Sequence, residues 1–442
     1  MYPVPNKVSD FGLVPMQQME PYDDMNCRAI VIISGEAQAL FLAFELARAP
    51  GFPGYLDEIS QATGINKDHI FITATHNHSA PRTPNFTEDP LILTFLSKYN
   101  KIVHDAGIAA CKKAIDTIRP ARYGYGEALS YINVNRNLLT PGGYWVEAPN
   151  PERYSDKTLS IMKFVDMKGN LIAAYLNHPT HATNIYMLKD VDHKLKTSGN
   201  FTGITCRFVE EHYGNDAVAL WTSGAAGDQN PCLSHGLQYE YPDGWTTQVQ
   251  YPDGTGYMQM EYIGRKHGAD CVKGIDSINA NHSVMPIRHF VKTLELPART
   301  RADNDPNPDH SKSRSGGTGL RTDSIPFGVL PPPVELPKMV PSEPRNLYLH
   351  LLLLGNTAFL LANAELYSLI GRAMKEVSPY KNTVIVTHHH GETAGYIFDK
   401  TSVDVKLPMA YSGVIPGSSD EIIVEGVKDL FEAALDMEKT IS

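Results

Sequence analysis

Two histidines one residue apart, His76 and His78, close a short apolar run, Phe71-Ile-Thr-Ala-Thr75, and lead into Ser79-Ala-Pro81. Neutral imidazole is a preferred ligand for zinc, and a histidine just past a buried strand lies at a sheet edge where other ligands converge. The same pair also fits two satisfied core or surface histidines, so this spacing alone leaves both readings open. Other apolar runs end in the same manner. Leu171 to Leu176 empties into Asn177-His178-Pro179, and Thr357 to Ala362 runs into Asn363-Ala364-Glu365. Thr383 to Thr387 opens into His388-His-His-Gly-Glu-Thr-Ala-Gly-Tyr396. Each places a metal-binding or acid/base side chain directly after a strand. Nitrogen and oxygen ligands with room for water suit a catalytic zinc, which lowers the pKa of water toward 7. Glu365 also reads as a carboxylate at a helix start, favoured by the macrodipole without any metal.

The elements that must position these residues follow from periodicity and turn chemistry. Cys27 to Ile33 and Ala37 to Leu46 read as strands around the Ser34-Gly35-Glu36 turn. A helix at 54–63 and a strand at 69–75 come next, then a helix over 91–118 stopped by Pro120. Leu159 to Val165 and Leu171 to Leu176 form a hairpin about Lys168-Gly169-Asn170. A helix at 202–213 precedes the apolar run Ala217 to Trp221, which ends in Ser223-Gly-Ala-Ala-Gly-Asp228. The small residues of that loop suit structural support close to a ligand. Tyr-Pro-Asp-Gly occurs twice, at 241–244 and 251–254, as two turns of a surface excursion before a helix at 259–277. Residues 303–345 are rich in Pro, Gly, Ser and Asp and read as a long loop or lid. A hairpin over 347–362, a helix from Glu365 to 376, a strand at 383–387 and a closing helix over 421–437 complete the pattern. This alternation predicts an α/β fold, with mixed β-sheets and outer helices, in a single catalytic domain over 1–442.

Bulk properties narrow the partners. The chain has 442 residues, 42% of them hydrophobic, enough for a large core. A net charge of −10 and a pI near 5.9 give no electrostatic footprint for nucleic acid or a polybasic membrane patch. No apolar run approaches the roughly 18 residues of a membrane span, and the start lacks the marks of a secretory signal. Five scattered cysteines, an odd number without a CxxC pair, suit core thiols in a reducing compartment. The expectation is a cytoplasmic protein, without nucleic-acid or stable membrane association, acting on a small molecule.

Six segments, taken in order, resemble the neutral/alkaline non-lysosomal ceramidases. They are Thr75-His-Asn-His-Ser-Ala-Pro81, Asn133-Val-Asn-Arg136, His178-Pro-Thr180, Gly224-Ala-Ala-Gly-Asp-Gln-Asn-Pro231, Ala364-Glu365 and Ala394-Gly-Tyr-Ile397. The resemblance implies a zinc amidohydrolase with one ion held by His76, His178, Glu365 and Tyr396. It further implies that His78 exchanges protons, that Arg136 offers fixed positive charge to a substrate oxygen, and that Tyr411 donates to the same oxygen. Another divalent metal would fit the same ligands.

Departures from the family pattern limit the substrate. His181 and the His388-His-His390 run are additional, Asn200 stands where the family carries Asp, and the family's acidic residue after Leu46 is missing. The expected reaction is hydrolysis of an amide, ester or lactone of a soluble polar metabolite by a metal-activated water, with ceramide itself disfavoured. The competing enzymatic reading is a metal-dependent lyase or isomerase acting on a polyol or keto-sugar, in which His78 moves a proton.

Overall fold

The computed structural model describes residues 20–81, 90–139, 145–185, 188–214, 216–233, 237–240, 246–249, 252–302, 338–411 and 413–441. Most of the expected lid, 303–337, lies outside them, as do the first Tyr-Pro-Asp-Gly and Tyr251 of the second. Three sheets build the body. In the first, Cys27–Ser34 pairs antiparallel with Ala37–Phe44, which runs parallel to Ile70–Ala74. The second orders Val218–Ser223, Leu171–His178, Thr158–Val165 and Arg122–Leu129, with the first pair parallel. The third orders Asn382–Val386, Thr357–Ala362, Met339–Leu354, Ile287–Arg301 and Gly413–Val414. This is the α/β, mixed-sheet architecture that the sequence pattern predicts.

Successive side chains on a strand point to opposite faces, and here both faces are buried. Phe41 and Phe71, Met162, Phe164 and Tyr175, and Leu352, Phe359 and Val386 turn inward to one core shared by all three sheets. The alternate residues turn outward to helices. Leu40, Leu42, Ile70 and Ile72 pack on Tyr55–Thr63 and Pro90–Asp116. Ile161, Leu176, Ala219 and Trp221 pack with Asn200–Tyr213 and Thr255–Ser277. Leu351, Leu353, Leu360 and Ile385 pack with Ser368–Glu376 and Asp420–Ile441. Strands with two apolar faces read as continuous apolar runs, which is why they stand out in the sequence. No helix among the described residues is long and apolar enough to cross a membrane.

Two smaller sheets matter for the site. Gln229–Pro231, Asn133–Leu139 and Trp145–Asn150 form one. Ala364–Leu366 and Gly395–Ile397 form the other, a parallel ribbon that registers Glu365 opposite Tyr396. Glu365 therefore sits on a strand, and the helix expected to begin there starts only at Ser368. The last part of the expected loop belongs to the strand Met339–Leu354. Arg122–Leu129, with two glycines, and Asn133–Leu139, rich in asparagine, are strands whose sequences lack a continuous apolar run.

Candidate metal centre

The strand ends that carry the chemistry lie side by side. The amide of Ala74 donates to His388 O at 3.3 Å, that of Thr387 to Ser223 O at 2.9 Å, and that of Gly224 to His178 O at 3.1 Å. The His76–His78 loop is clamped on both sides. Asn77 donates its amide to Leu46 O at 2.9 Å, and His78 donates its amide to Ala182 O at 3.0 Å. The buried Asn200 side chain ties the two histidine loops together, donating to Ser79 Oγ at 2.8 Å and Ala182 O at 3.1 Å. His76 and His388 both hold φ at 56°, a left-handed conformation uncommon for residues with a Cβ. Their rings stack with centroids 3.9 Å apart.

Two imidazoles have their tautomers set by backbone carbonyls. The Nδ1–H of His76 donates to Ala47 O at 2.8 Å, and that of His181 to Ala226 O at 2.5 Å. Each ring is left with its Nε2 lone pair free for a ligand, the usual arrangement of a metal-binding histidine. The lone pairs converge on Glu365. His76 Nε2 lies 3.2 Å from Glu365 Oε2, and His181 Nε2 lies 3.4 Å from the same oxygen. His181 Nε2 is also 3.2 Å from Tyr396 Oη, and His76 Nε2 is 3.0 Å from His78 Nε2. One ligand nitrogen from each of His76, His78 and His181 lies within 4.8 Å of the others.

The electrostatics favour the ligating forms of His181 and Glu365. Burial, then the charges of Arg136 and His76, push His181 down to about 3, so its ring is neutral. Burial opposes ionisation of Glu365, but His76 first, and then the close approach of the His181 and His76 rings, hold its carboxyl well below the usual range. Burial and then Glu365 push the Tyr396 hydroxyl upward, and Arg136 opposes them.

This donor set fits a metal ion. Glu365 Oε2 is buried and lacks a well-directed hydrogen bond despite its close neighbours. A tetrahedral zinc with bonds near 2.1 Å separates its ligands by about 3.4 Å, close to the separations seen here. His76, His181, Glu365 and Tyr396 would hold it, with His78 beside them.

The geometry corrects the expected ligand set at one position. His178 faces away, with its Nε2–H on Ser130 O at 3.0 Å and its Nδ1 against Thr180 Oγ1 at 2.7 Å. Its ring packs edge-on to His267. His181 occupies the place expected for it. The resemblance singled out His178 because it adjoins the Pro-Thr segment, while the only signal for His181 was the His-x-x-His spacing.

Arg136 also departs from expectation. Instead of presenting its charge to a substrate, it is buried among Glu147, at 2.6 Å, Gly227 O, at 2.8 Å, and Tyr396 Oη, at 3.1 Å. It positions the tyrosine. Tyr411 closes a short helical turn, Pro408–Tyr411, but its side chain lies outside the described residues.

The glycine-rich loop is the frame of the centre. Ala226 O holds His181, Gly227 O holds Arg136, and the Gly227 amide donates to Leu366 O at 2.8 Å. Asp228 accepts from the amide and hydroxyl of Ser368, each at 2.8 Å, and from Asn135 Nδ2 at 2.8 Å.

No family profile matches the chain. Among curated proteins, neutral ceramidases from Drosophila pseudoobscura pseudoobscura and Pseudomonas aeruginosa are each 28% identical to it, over 178 and 171 residues. Those segments cover 37% and 36% of the chain, and they span about a quarter of the relatives' own length, 24% and 23%. The crystal structure of neutral ceramidase from Pseudomonas aeruginosa superposes with a TM-score of 0.65 at 17% identity, covering 95% of this chain and 70% of that one. A ceramidase solved in complex with C2 gives the same TM-score at 16% identity, covering 93% of this chain and 70% of that one. The structural likeness shows that the chain shares the fold of these ceramidases, and the sequence matches show that it is similar to neutral ceramidases over little more than a third of its length.

Proposed function

We propose that the chain is a zinc-dependent hydrolase that cleaves the amide bond, or a related ester or lactone bond, of a polar small molecule. The observation that carries this reading is the convergence of His76 Nε2, His181 Nε2, Glu365 Oε2 and Tyr396 Oη, with both histidine tautomers preset. Similarity to neutral ceramidases, proteins named for acting on ceramide, supports amide hydrolysis.

A bound zinc would supply Lewis-acid charge that acidifies water and polarises a carbonyl. The chain's own residues do the rest. His76 and His181 enter with their lone pairs already aimed, and Glu365 brings one negative charge that offsets half of a dication's. Arg136 holds Tyr396 Oη in place and makes its deprotonation easier. His78, half-buried, directs Nε2 into the same space and is the side chain placed to carry a proton between a nucleophile and a leaving group.

The test is turnover of N-acyl amides, lactones and cyclic polyols by metal-loaded and chelator-stripped protein in 18O-labelled water. Hydrolysis places one labelled oxygen in the product and is restored by zinc. Turnover without label supports lyase or isomerase chemistry instead, and turnover indifferent to the chelator removes the metal from the reaction.

A further inference from the structure

A cavity of about 500 Å³ adjoins the metal centre. Among its walls are Arg48, Arg345, Asn363, His388, Glu392 and Thr393. It meets the centre at His388, whose ring lies flat on His76. Arg48 follows Ala47, the residue whose carbonyl fixes the His76 tautomer.

The two arginines stand apart from the protein's other buried or paired guanidinium groups. Arg28, Arg136, Arg207, Arg288 and Arg372 each meet a carboxylate at close range. Arg48 is exposed and has no hydrogen bond or ion pair with any described residue. Arg345 reaches Glu392 only at 3.9 Å, with the two side chains 48% and 85% exposed, a loose pair worth little in water. Among the described residues the cavity thus holds two guanidinium groups against one solvent-borne carboxylate, in a chain whose net charge is −10. Among the described residues its apolar side chains are Ala49 and Ala394, which offer little for an alkyl chain to pack on.

We infer that the substrate is an acid, an N-acyl compound with a carboxylate that Arg48 and Arg345 receive while its amide faces the metal centre. Guanidinium recognises carboxylate through paired N–H donors, and a cavity of this size suits a small metabolite. This inference rests on the hydrolytic reading for its amide but not for its anion.

The experiment compares N-acetyl amino acids with their uncharged methylamides on the zinc-loaded full chain, reading binding by calorimetry and cleavage by kcat/KM separately. The acids are expected to bind and react at least about 30-fold better than the methylamides. Arg48→Gln and Arg345→Gln should each collapse that preference by about tenfold or more, with melting temperature and metal content kept, and Arg48→Lys should restore part of it. Methylamides handled as well as acids, or a preference untouched by both variants, would overturn the inference while leaving the hydrolase standing. Acids that bind through both arginines with no amide cleaved would support the anion site and remove the hydrolytic reading.

Discussion

His178 and His181, three residues apart, carry their protons on opposite ring nitrogens, and that difference decides which one can serve a metal. His178 spends Nε2–H on Ser130 O and accepts Thr180 at Nδ1, so no lone pair is left over. His181 gives Nδ1–H to Ala226 O and aims Nε2 at Glu365 and Tyr396. His181→Ala should therefore abolish stoichiometric metal uptake, measured by elemental analysis after dialysis, with only modest loss of stability. His178→Ala should keep the metal but lose about 1–3 kcal/mol, because Ser130 O is left buried without its donor. Metal loss from both variants alike would dissolve the distinction. Stability against pH gives a second readout. Burial pushes His178 down to about 4 from the ordinary 6.5, so the unfolded chain binds the extra proton between those values. Stability is complete above pH 6.5 and declines as pH falls toward 4, with His178 contributing about 3 kcal/mol of the loss. Urea titrations from pH 7.5 to 4.5 should show this slope, and it should flatten in His178→Gln. Of the candidate site, His76, Glu365 and Tyr396 were legible because each directly follows or occupies a strand within a recognisable segment. His181 and the inward-facing role of Arg136 were not, since choosing them requires knowing which carbonyls and carboxylates fold against them.

At the scale of elements, the centre hangs on a loop with no metal ligand in it. Residues 224–228 lie between the second sheet and the two smaller ones and bond to His181, Arg136, Leu366 and Ser368. A Cβ on Gly227 would come within 2.7 Å of Glu365 O and 2.8 Å of Tyr367 Cδ1. Backbone cannot yield as a flexible side-chain tip can. Gly227→Ala is expected to cost about 1–3 kcal/mol and to weaken metal binding at least about tenfold by displacing the Glu365 strand. Calorimetric zinc titration alongside thermal melts would check both, and unchanged affinity would show that the ribbon tolerates the shift. Glycine-rich composition marked this loop as support, but its partners could not be read from it. The ribbon of Ala364–Leu366 and Gly395–Ile397 was hidden for a related reason: three residues are too few for a period, and helix-start chemistry after Ala362 offered a stronger local signal.

For the molecule as a whole, stability concentrates where the three sheets meet. Phe41 lies 5.5 Å from Phe71, 5.1 Å from Tyr175 and 6.3 Å from Phe359, ring centre to ring centre, so it touches the inner faces of all three sheets. Phe41→Ala should cost about 3–5 kcal/mol in chemical denaturation, the range for a large aromatic removed from a packed core. A cost near 1 kcal/mol would mean that the sheets are held elsewhere. The strands that build this core were mostly visible as near-continuous apolar runs, whereas their three-way packing depends on pairings between segments hundreds of residues apart. That separation bears on how the protein comes into being. His76, His181, Glu365 and Tyr396 sit on loops and strands contributed by all three sheets and the small ribbon, and Glu365 and Tyr396 lie far beyond His76 in sequence. A growing polypeptide displays the His76–His78 pair long before it displays Glu365, and two imidazoles without a carboxylate make a poor and unselective trap for a dication. Ion capture at such a centre would thus wait until the Glu365 and Tyr396 segments have been made and the three sheets have closed, so that a bound metal would report that distant parts of the fold have come together.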